Sequence, residues 1–420
     1  MEFMNQFYKT YKKEILLFLL MFGLELVMIF FLSRVNGIEL FFRGDGRDYQ
    51  NLANNIIFHQ TLAITPLPPF LPTNFRTPIY PLWLVFIYLI FKSFTPAIFI
   101  GAVVFALSAP IVYLIAKEIF SEKAAFVAAL IFAVEPWALF QAGFLAAEQI
   151  FMPIFLFSVY LFLRYLKSRR THYFYWASLF LGFVTLVRPL ATFFILIFIF
   201  FAFIYEFKIS AMGAFKTTLF GFLVFLTILS PWLIRNKIVL NTWQISSISS
   251  VSLYVENYMM LEKYLGKMKE SEDINERARI LLGTGNYEEA TKAENAKILG
   301  ETAFKEIRSN LGSYIVMHFG KLPSFLLRNS YGNIFLDLKI PGANIQSDIG
   351  RSLLNKDFAS LFTLVKNTPI GSKILIAAAL FWPFIIILAI VGIFAKFKAD
   401  PRYLIFWFLI LWIGYFLALA

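Results

Sequence analysis

Two aspartates in a glycine-containing phrase are the first side chains that could serve as a catalytic base. The phrase Arg43-Gly44-Asp45-Gly46-Arg47-Asp48-Tyr49 follows a long apolar run. It predicts a helix with Asp45 as N-cap and Asp48 in the first turn, because carboxylates stabilise the free N–H groups there. It also predicts a phosphate site, because the glycines expose the backbone while Arg43 and Arg47 supply positive charge. Both interpretations can hold, since a helix N-terminus itself binds anions.

Three further arginines stand beside or inside apolar runs, where an unpaired charge is costly. Arg76 begins the phrase Arg76-Thr77-Pro78-Ile79-Tyr80-Pro81, Arg188 precedes a proline within an apolar stretch, and Arg235 closes another apolar run. Charges in such places usually have partners. Each arginine is therefore predicted either to snorkel to lipid headgroups or to bind an anion.

Glu148 has the complementary position, because it is an acid flanked by apolar residues. Its candidate partners are the arginines or a bound metal, and a structural Glu–Arg pair weighs about as much as a role in orienting substrate. Tyr49 and Tyr80 join it as predicted substrate-orienting residues. No cofactor is indicated with certainty and a divalent metal is left open. A metal site built on Cys or His is disfavoured, because the chain has no Cys and its three histidines lack ligand spacing.

The composition requires these residues to be positioned by membrane helices. Of 420 residues, 59% are hydrophobic and only 15% charged, with a mean hydropathy of +0.71, whereas soluble domains are roughly half apolar and a quarter charged. The net charge of +12 comes from Lys and Arg in short loops between apolar runs, with no basic stripe. Contact with membrane lipids explains it better than nucleic acid binding, which we exclude.

An all-α polytopic membrane protein with about nine transmembrane helices follows from the apolar runs of about 20 residues. The candidate spans are residues 15–32, 97–116, 124–141, 148–166, 173–187, 190–205, 217–233, 371–395 and 403–420.

The segment 78–94 is an ambiguous tenth span, and it decides the topology. If it does not cross the membrane, every basic loop joins the N-terminus in the cytoplasm, as the positive-inside rule requires. Its two prolines, its aromatic residues and its short apolar length favour that interpretation. The two long segments 34–96 and 234–370 then face outward, which predicts an extracytoplasmic active site.

Three regions follow from this topology. Residues 1–235 form a transmembrane catalytic module whose first outer loop, 34–96, carries interfacial helices. Residues 236–370 form an extracytoplasmic segment with a solvated helix near 286–309, a surface-lying helix near 314–328 and loops over 330–370. Residues 371–420 form a C-terminal pair of transmembrane helices.

The order of five phrases resembles the GT-C class of membrane glycosyltransferases, in the branch of protein O-mannosyltransferases and lipid A aminoarabinose transferases. The phrases are GDGRDYQNLA, RTPIYPL, AAEQIF, LVRPLATFF and PWLIRN. The resemblance implies a GT-C-like fold with the catalytic acid in the first outer loop. Asp45 and Asp48 stand three residues apart, where that family commonly has an Asp-Glu pair, so the choice of catalytic acid between them is open.

The resemblance and the residues together predict an inverting glycosyltransferase. Its partners would be a polyprenyl- or dolichyl-phosphate sugar as donor and a hydroxyl-bearing lipid, glycan or protein as acceptor. Asp45, or alternatively Asp48, would accept the hydroxyl proton, and the five arginines 43, 47, 76, 188 and 235 are candidates to bind the carrier phosphate. The alternatives are a transporter or flippase for a lipid-linked or anionic substrate, and a lipid-linked glycan polymerase or ligase.

Overall fold

A computed structural model of the chain describes residues 2–268, 281–282, 292–327, 331–340 and 403–419, with positions 357, 359, 362–363, 366, 373, 384–392 and 394. Every regular element in these residues is a helix, which confirms the all-α prediction. In chain order the α-helices are α1 (Glu2–Asn36), α2 (Asp45–His59), α3 (Ile79–Phe91), α4 (Thr95–Ala106), α5 (Ser108–Ile119), α6 (Glu122–Ala133), α7 (Pro136–Ala142), α8 (Glu148–Ser168), α9 (Thr171–Thr185), α10 (Phe194–Phe207), α11 (Ala211–Leu240), α12 (Ile248–Ser252), α13 (Met259–Tyr264), α14 (Ala293–Ser309), α15 (Leu311–Leu327), α16 (Tyr331–Asp337) and α17 (Tyr403–Leu419).

Membrane-spanning helices confirm a polytopic membrane protein. Within the described part of the chain, 5 helical stretches are long and apolar enough to cross a bilayer, and the bent pair α6 and α7, at 56°, brings the number to 6 if it is one span. The five are Thr10–Asn36, Thr95–Ile119, Glu148–Ser168, Pro189–Phe207 and Ala211–Leu240.

The predicted number of nine spans is not confirmed. The predicted span 173–187 corresponds to α9, whose 15 residues extend over about 22 Å against a hydrocarbon core of about 30 Å. The span 403–420 corresponds to the 17-residue α17, and most of 371–395 lies outside the described residues. The ambiguous segment 78–94 forms α3, whose 13 residues reach only about 20 Å. That length suits a helix that does not cross, and its topology stays a prediction.

The chain divides into two compact units that alternate along the sequence. The first unit comprises Met1–Arg43, Ile98–Phe144 and Leu322–Ala420, and the second comprises Gly44–Ala97 and Leu145–Lys321. The three predicted regions stay predictions.

In the first unit, α1 packs against α5, α6 and α7. Leu17 and Met21 are fully buried on α1, and Lys13 near its beginning forms an ion pair with Glu122 at 2.7 Å. Glu135 begins α7 as its N-cap, accepting hydrogen bonds from the backbone N–H groups of the next turn and from the Tyr331 hydroxyl. The unit thus joins its separate chain segments through side chains as well as apolar packing.

In the second unit, α8, α9, α10 and α11 pack side by side. Their shared core contains the fully buried rings of Phe162, Phe174 and Phe198, of which Phe162 and Phe198 stack at 4.1 Å between centroids. The unit also contains the loop from α2 to α3, and the segment from α12 to α14 that follows the long helix α11. The predicted solvated helix is α14, although residues 286–291 of the prediction lie outside the described part. The predicted surface helix is α15, and its position at the membrane surface stays a prediction.

Candidate active site

The two aspartates lie in the first turn of α2. Asp45 is the first residue of the helix, and Gly44 precedes it with a φ of 60°, a conformation that favours glycine. The prediction of Asp45 as N-cap is therefore wrong: Gly44 holds that position, and no side chain caps the helix. The physical reason is that the Asp45 carboxylate turns away from the helix backbone to an arginine.

That arginine is Arg76, which joins both aspartates. Its Nη1 and Nη2 donate to Asp45 Oδ2 and Oδ1 at 3.0 and 2.7 Å, and Nη2 also donates to Asp48 Oδ2 at 2.7 Å. A planar guanidinium suits such a pair of hydrogen bonds to one carboxylate. The Arg76 side chain is only 10% exposed, whereas those of Asp45 and Asp48 are 47% and 33% exposed. The buried cation thus presents two accessible carboxylates.

Aromatic rings hold Arg76 from the inner side. Its Cζ lies 5.3 Å from the ring centroid of Tyr49 and 5.2 Å from that of Phe75, within the range of cation–π attraction. Tyr49 in turn meets Tyr80 edge to face at 4.6 Å, and the Tyr80 hydroxyl donates to Gln149 Oε1 at 2.9 Å. Both tyrosines are buried, so they shape the wall of the site rather than contact bulk water.

A second ion pair lies in the same unit. Arg188 Nη1 donates to Glu148 Oε1, and both side chains are about one-third exposed. Glu148 begins α8, and Arg188 stands where α9 has ended and a short 3₁₀ turn starts at Pro189. The charges of Arg76, Arg188, Asp45 and Glu148 all act on the Tyr49 phenol, which brings the two ion pairs together around one ring.

Burial sets the protonation of Tyr49. It raises the pKa of the phenol to about 12, and the two arginines oppose that rise only in part. Tyr49 therefore keeps its proton at physiological pH and does not act as a base.

Hydrogen bonds fix the loop that carries Arg76. Thr77 Oγ1 donates to the Val187 carbonyl at 2.8 Å, and the Ile79 N–H donates to the Leu186 carbonyl at 3.1 Å. These carbonyls lack helical donors, because the chain breaks at Arg188-Pro189. The helix break thus positions both Arg188 and the loop that carries Arg76.

The other predicted arginines have different surroundings. Arg43 is bonded to Asp337 within the first unit, through Nη1 to Oδ1 at 2.7 Å and through Nη2 to Oδ2. Arg235 donates to the Thr73 carbonyl at 2.9 Å and lies over the Trp232 ring. Arg47 is exposed on α2 beside the aspartates. Their predicted binding of a phosphate stays a prediction.

The described residues contain no dedicated set of metal ligands. Among the described residues, no three side chains of His, Cys, Asp or Glu gather in a group that could hold a metal ion. Asp45 and Asp48 could offer two carboxylates, but they would have to release Arg76 to do so.

Sequence reasoning missed several residues that support the site. Thr77 and Gln149 stand in phrases that were recognised, but their hydrogen bonds join segments 110 and 69 residues apart. Asp337 lies in a region whose sequence indicated only loops. Hydrogen bonds between such distant segments leave no local sequence pattern. Of these residues, only Gln149 carried a signal, because it is a polar side chain next to Glu148 in an apolar run.

A comparison of the chain with known protein families gives one match. Residues 76–234 match the family described as dolichyl-phosphate-mannose-protein mannosyltransferase. The match supports a GT-C-type membrane glycosyltransferase. It includes Arg76, Tyr80, Glu148 and Arg188 but covers less than half of the chain, and both aspartates precede it. No curated protein and no solved structure matches the chain. The family's description names a lipid-phosphate sugar as donor, and the match does not identify an acceptor for this chain.

Proposed function

We propose that the chain transfers a sugar from a polyprenyl- or dolichyl-phosphate carrier to an acceptor hydroxyl at the extracytoplasmic face of the membrane, with inversion at the sugar. The observation that carries this proposal is the Asp45–Arg76–Asp48 cluster, in which a buried arginine holds two partly exposed carboxylates. The second ion pair, Glu148–Arg188, supports it as a further charged group around Tyr49.

In the proposed reaction, the acceptor oxygen attacks the anomeric carbon while its proton passes to a carboxylate. The bond from the anomeric carbon to the phosphate oxygen breaks, and the carrier phosphate leaves with the bonding electrons. That leaving group needs no proton when cations balance its charge. One base and one cationic site therefore suffice.

Asp45 is the proposed base and Asp48 the alternative. Asp45 has the more exposed carboxylate, which favours access for an acceptor hydroxyl. Asp48 gives only one oxygen to Arg76 and keeps Oδ1 for another partner. In both cases Arg76 fixes the orientation of the carboxylate, as an efficient base requires.

The cationic site is proposed to centre on Arg188, with Arg76 behind the aspartates. Three carboxylates, those of Asp45, Asp48 and Glu148, lie with Arg76 and Arg188, and the nearby Arg47 balances their formal charges before the donor binds. An arriving phosphate would compete with Glu148 for Arg188 and release that acid to contact the sugar. Arg47 and the N-terminus of α2 supply further positive charge.

The experiment is release of free polyprenyl phosphate from the purified protein, supplied with polyprenyl-phosphate mannose and with other polyprenyl-phosphate sugars. Without an added acceptor, water attacks the anomeric carbon in place of the acceptor hydroxyl, and the sugar is released free. Wild type is compared with Asp45→Asn and Asp48→Asn. Glu122→Gln is the matched control, because it removes an acid from an exposed ion pair in the other unit. We expect one Asn variant to lose release while donor binding and the control stay intact.

Two outcomes would count against the proposal. Full release in both Asn variants would remove the aspartates from the chemistry. Binding of every donor without any release would favour transport of a lipid-linked substrate instead.

A further inference from the structure

A cleft at the end of α11 lies in the second unit, and none of the charged cluster's side chains lines it. It has a volume of about 770 Å³ and lies between the residues that follow α11, the short helix α12, and α14. Ligand pockets in proteins typically measure about 300–1,000 Å³. The cleft is therefore large enough for a substrate, and no role in the charged cluster accounts for it.

Two aromatic side chains expose their rings at this cleft. Trp243 is 63% exposed and Phe304 is 61% exposed, and both belong to the lining. Neither ring is needed for the nearby core, which is built from Val251, Leu299 and Ala303 and their neighbours. Exposed flat apolar faces beside polar groups suit a ligand that has both C–H faces and hydroxyls.

The polar lining is mostly neutral. Gln244, Ser249 and Ser250 contribute an amide and two hydroxyls, and the Gln244 Oε1 is buried without a hydrogen-bond partner in the described structure. Of the three charged lining residues, Lys297 and Glu301 pair with each other at 3.7 Å and Glu294 adds a negative charge. The cleft therefore has no surplus of positive charge for a phosphate.

Close packing of two helices forms the floor of the cleft. At Gly300 a Cβ atom would lie 2.8 Å from the side chain of Ser250, so glycine allows α14 to approach α12. The side of the cleft between α12 and α14 is thus closely packed.

The chain segment at the cleft also supports the loop of Arg76. The backbone carbonyl of Gln244 accepts from Asn74 Nδ2 at 3.3 Å, and Ser246 Oγ donates to the Phe75 carbonyl at 2.6 Å. Arg76 is the next residue. One wall of the cleft and the loop that carries the charged cluster are therefore bonded side by side, as expected of neighbouring acceptor and donor sites.

We propose that this cleft binds the carbohydrate of a glycan acceptor, with sugar rings on Trp243 and Phe304 and their hydroxyls on Gln244 and the two serines. The proposal rests on the proposed function and names its acceptor class. A glycan fits better than a peptide, because the exposed aromatic faces and neutral hydrogen-bonding groups match the alternating C–H faces and hydroxyls of a sugar.

The test is saturation-transfer NMR of the full-length protein in detergent with a panel of disaccharides: mannobiose, cellobiose, chitobiose and maltose. We expect at least one to give a signal that falls at least tenfold in Trp243→Ala and in Phe304→Ala. Trp176→Ala is the matched control, because Trp176 is a similarly exposed tryptophan of the same unit, on α9, and its loss should leave the signal unchanged.

Release of polyprenyl phosphate without acceptor separates this proposal from the proposed function. Trp243→Ala should keep that release, because the cleft does not hold the donor. The proposal is overturned if no disaccharide binds, if both aromatic variants bind as wild type does, or if a serine- and threonine-containing peptide is bound in place of the sugars. If wild type releases no polyprenyl phosphate without an acceptor, that result would count against the proposed function alone.

Discussion

Arg43 and Arg76 make the same contacts with opposite exposure. Each forms a double hydrogen bond to an aspartate and lies about 5 Å from an aromatic ring centroid, that of Phe144 for Arg43 and that of Tyr49 for Arg76. At Arg43 the arginine is 44% exposed and Asp337 only 12%, whereas at Arg76 the arginine is 10% exposed and Asp45 47%.

The two carboxylates differ in what can reach them. The Asp337 carboxylate faces the protein and can accept little besides its arginine, whereas the Asp45 carboxylate is open to solvent while Arg76 holds it in place. Under the proposed function, this exposure gives an acceptor hydroxyl access to Asp45.

The largest effect should come from Arg76→Lys. A lysine cannot donate a planar pair of hydrogen bonds to Asp45 and also reach Asp48. Both carboxylates therefore lose their orientation. We expect transfer to fall about 100-fold, measured as polyprenyl phosphate release. Arg43→Lys is the matched control and should change release little, and an equal loss in the two variants would remove the distinction between the pairs.

Next in size is the loss of stability in Arg43→Ala. It leaves the Asp337 carboxylate buried without its partner, at a cost of about 2 kcal/mol. The midpoint of thermal unfolding in detergent should fall, and the added substitution Asp337→Asn should recover part of it by removing the charge. Reduced transfer with an unchanged unfolding midpoint would instead indicate that Arg43 contributes to binding of the carrier phosphate.

Tyr49 provides a smaller effect that depends on pH. Its phenol has a pKa of about 12 in the folded protein and about 10 when unfolded. The folded state therefore holds the proton more tightly, and the stability it contributes is lost as pH rises from about 10 to about 12. By pH 11 the loss is about 1.4 kcal/mol. Tyr49→Phe should remove this part of the pH dependence, seen as the difference between the two unfolding curves. Parallel curves would mean that Tyr49 is accessible to water.

The smallest effect is expected at Lys13, whose pair with Glu122 is exposed on both sides. Pairs of this kind contribute little, since water and salt screen them. Lys13→Gln should change neither the unfolding midpoint nor transfer. A clear destabilisation would show that exposure is a poor guide to the value of an ion pair in this chain.

Local patterns in the sequence were sufficient to predict much of the fold. Apolar runs marked five membrane helices, and the break at Arg188-Pro189 was expected from the proline. The count of nine is not confirmed in the described residues, because a run of apolar residues does not determine where its helix ends: α9 stops at Thr185, and α6 and α7 bend apart at Pro136.

The candidate site was predictable in its members and not in its pairings. Charges out of place in apolar surroundings pointed to Arg76, Arg188 and Glu148, and the structure brings them near the two aspartates. Which acid meets which arginine depends on contacts between distant segments. Asp45 was expected to cap its own helix, but the stronger attraction of a buried arginine prevails over the local preference.

The hydrogen bonds of the loop at Arg76 depend on residues that the ribosome adds much later in the chain. Thr77 donates to a carbonyl 110 residues later in the chain, and the Phe75 carbonyl accepts from a serine 171 residues later. At roughly 5–20 residues per second, the ribosome needs on the order of ten seconds to supply the latter. A nascent chain that ends before Ser246 contains both aspartates and Arg76 but lacks the serine that donates to the Phe75 carbonyl. The loop that carries Arg76 thus gains this hydrogen bond only after α1 to α11 have been synthesised.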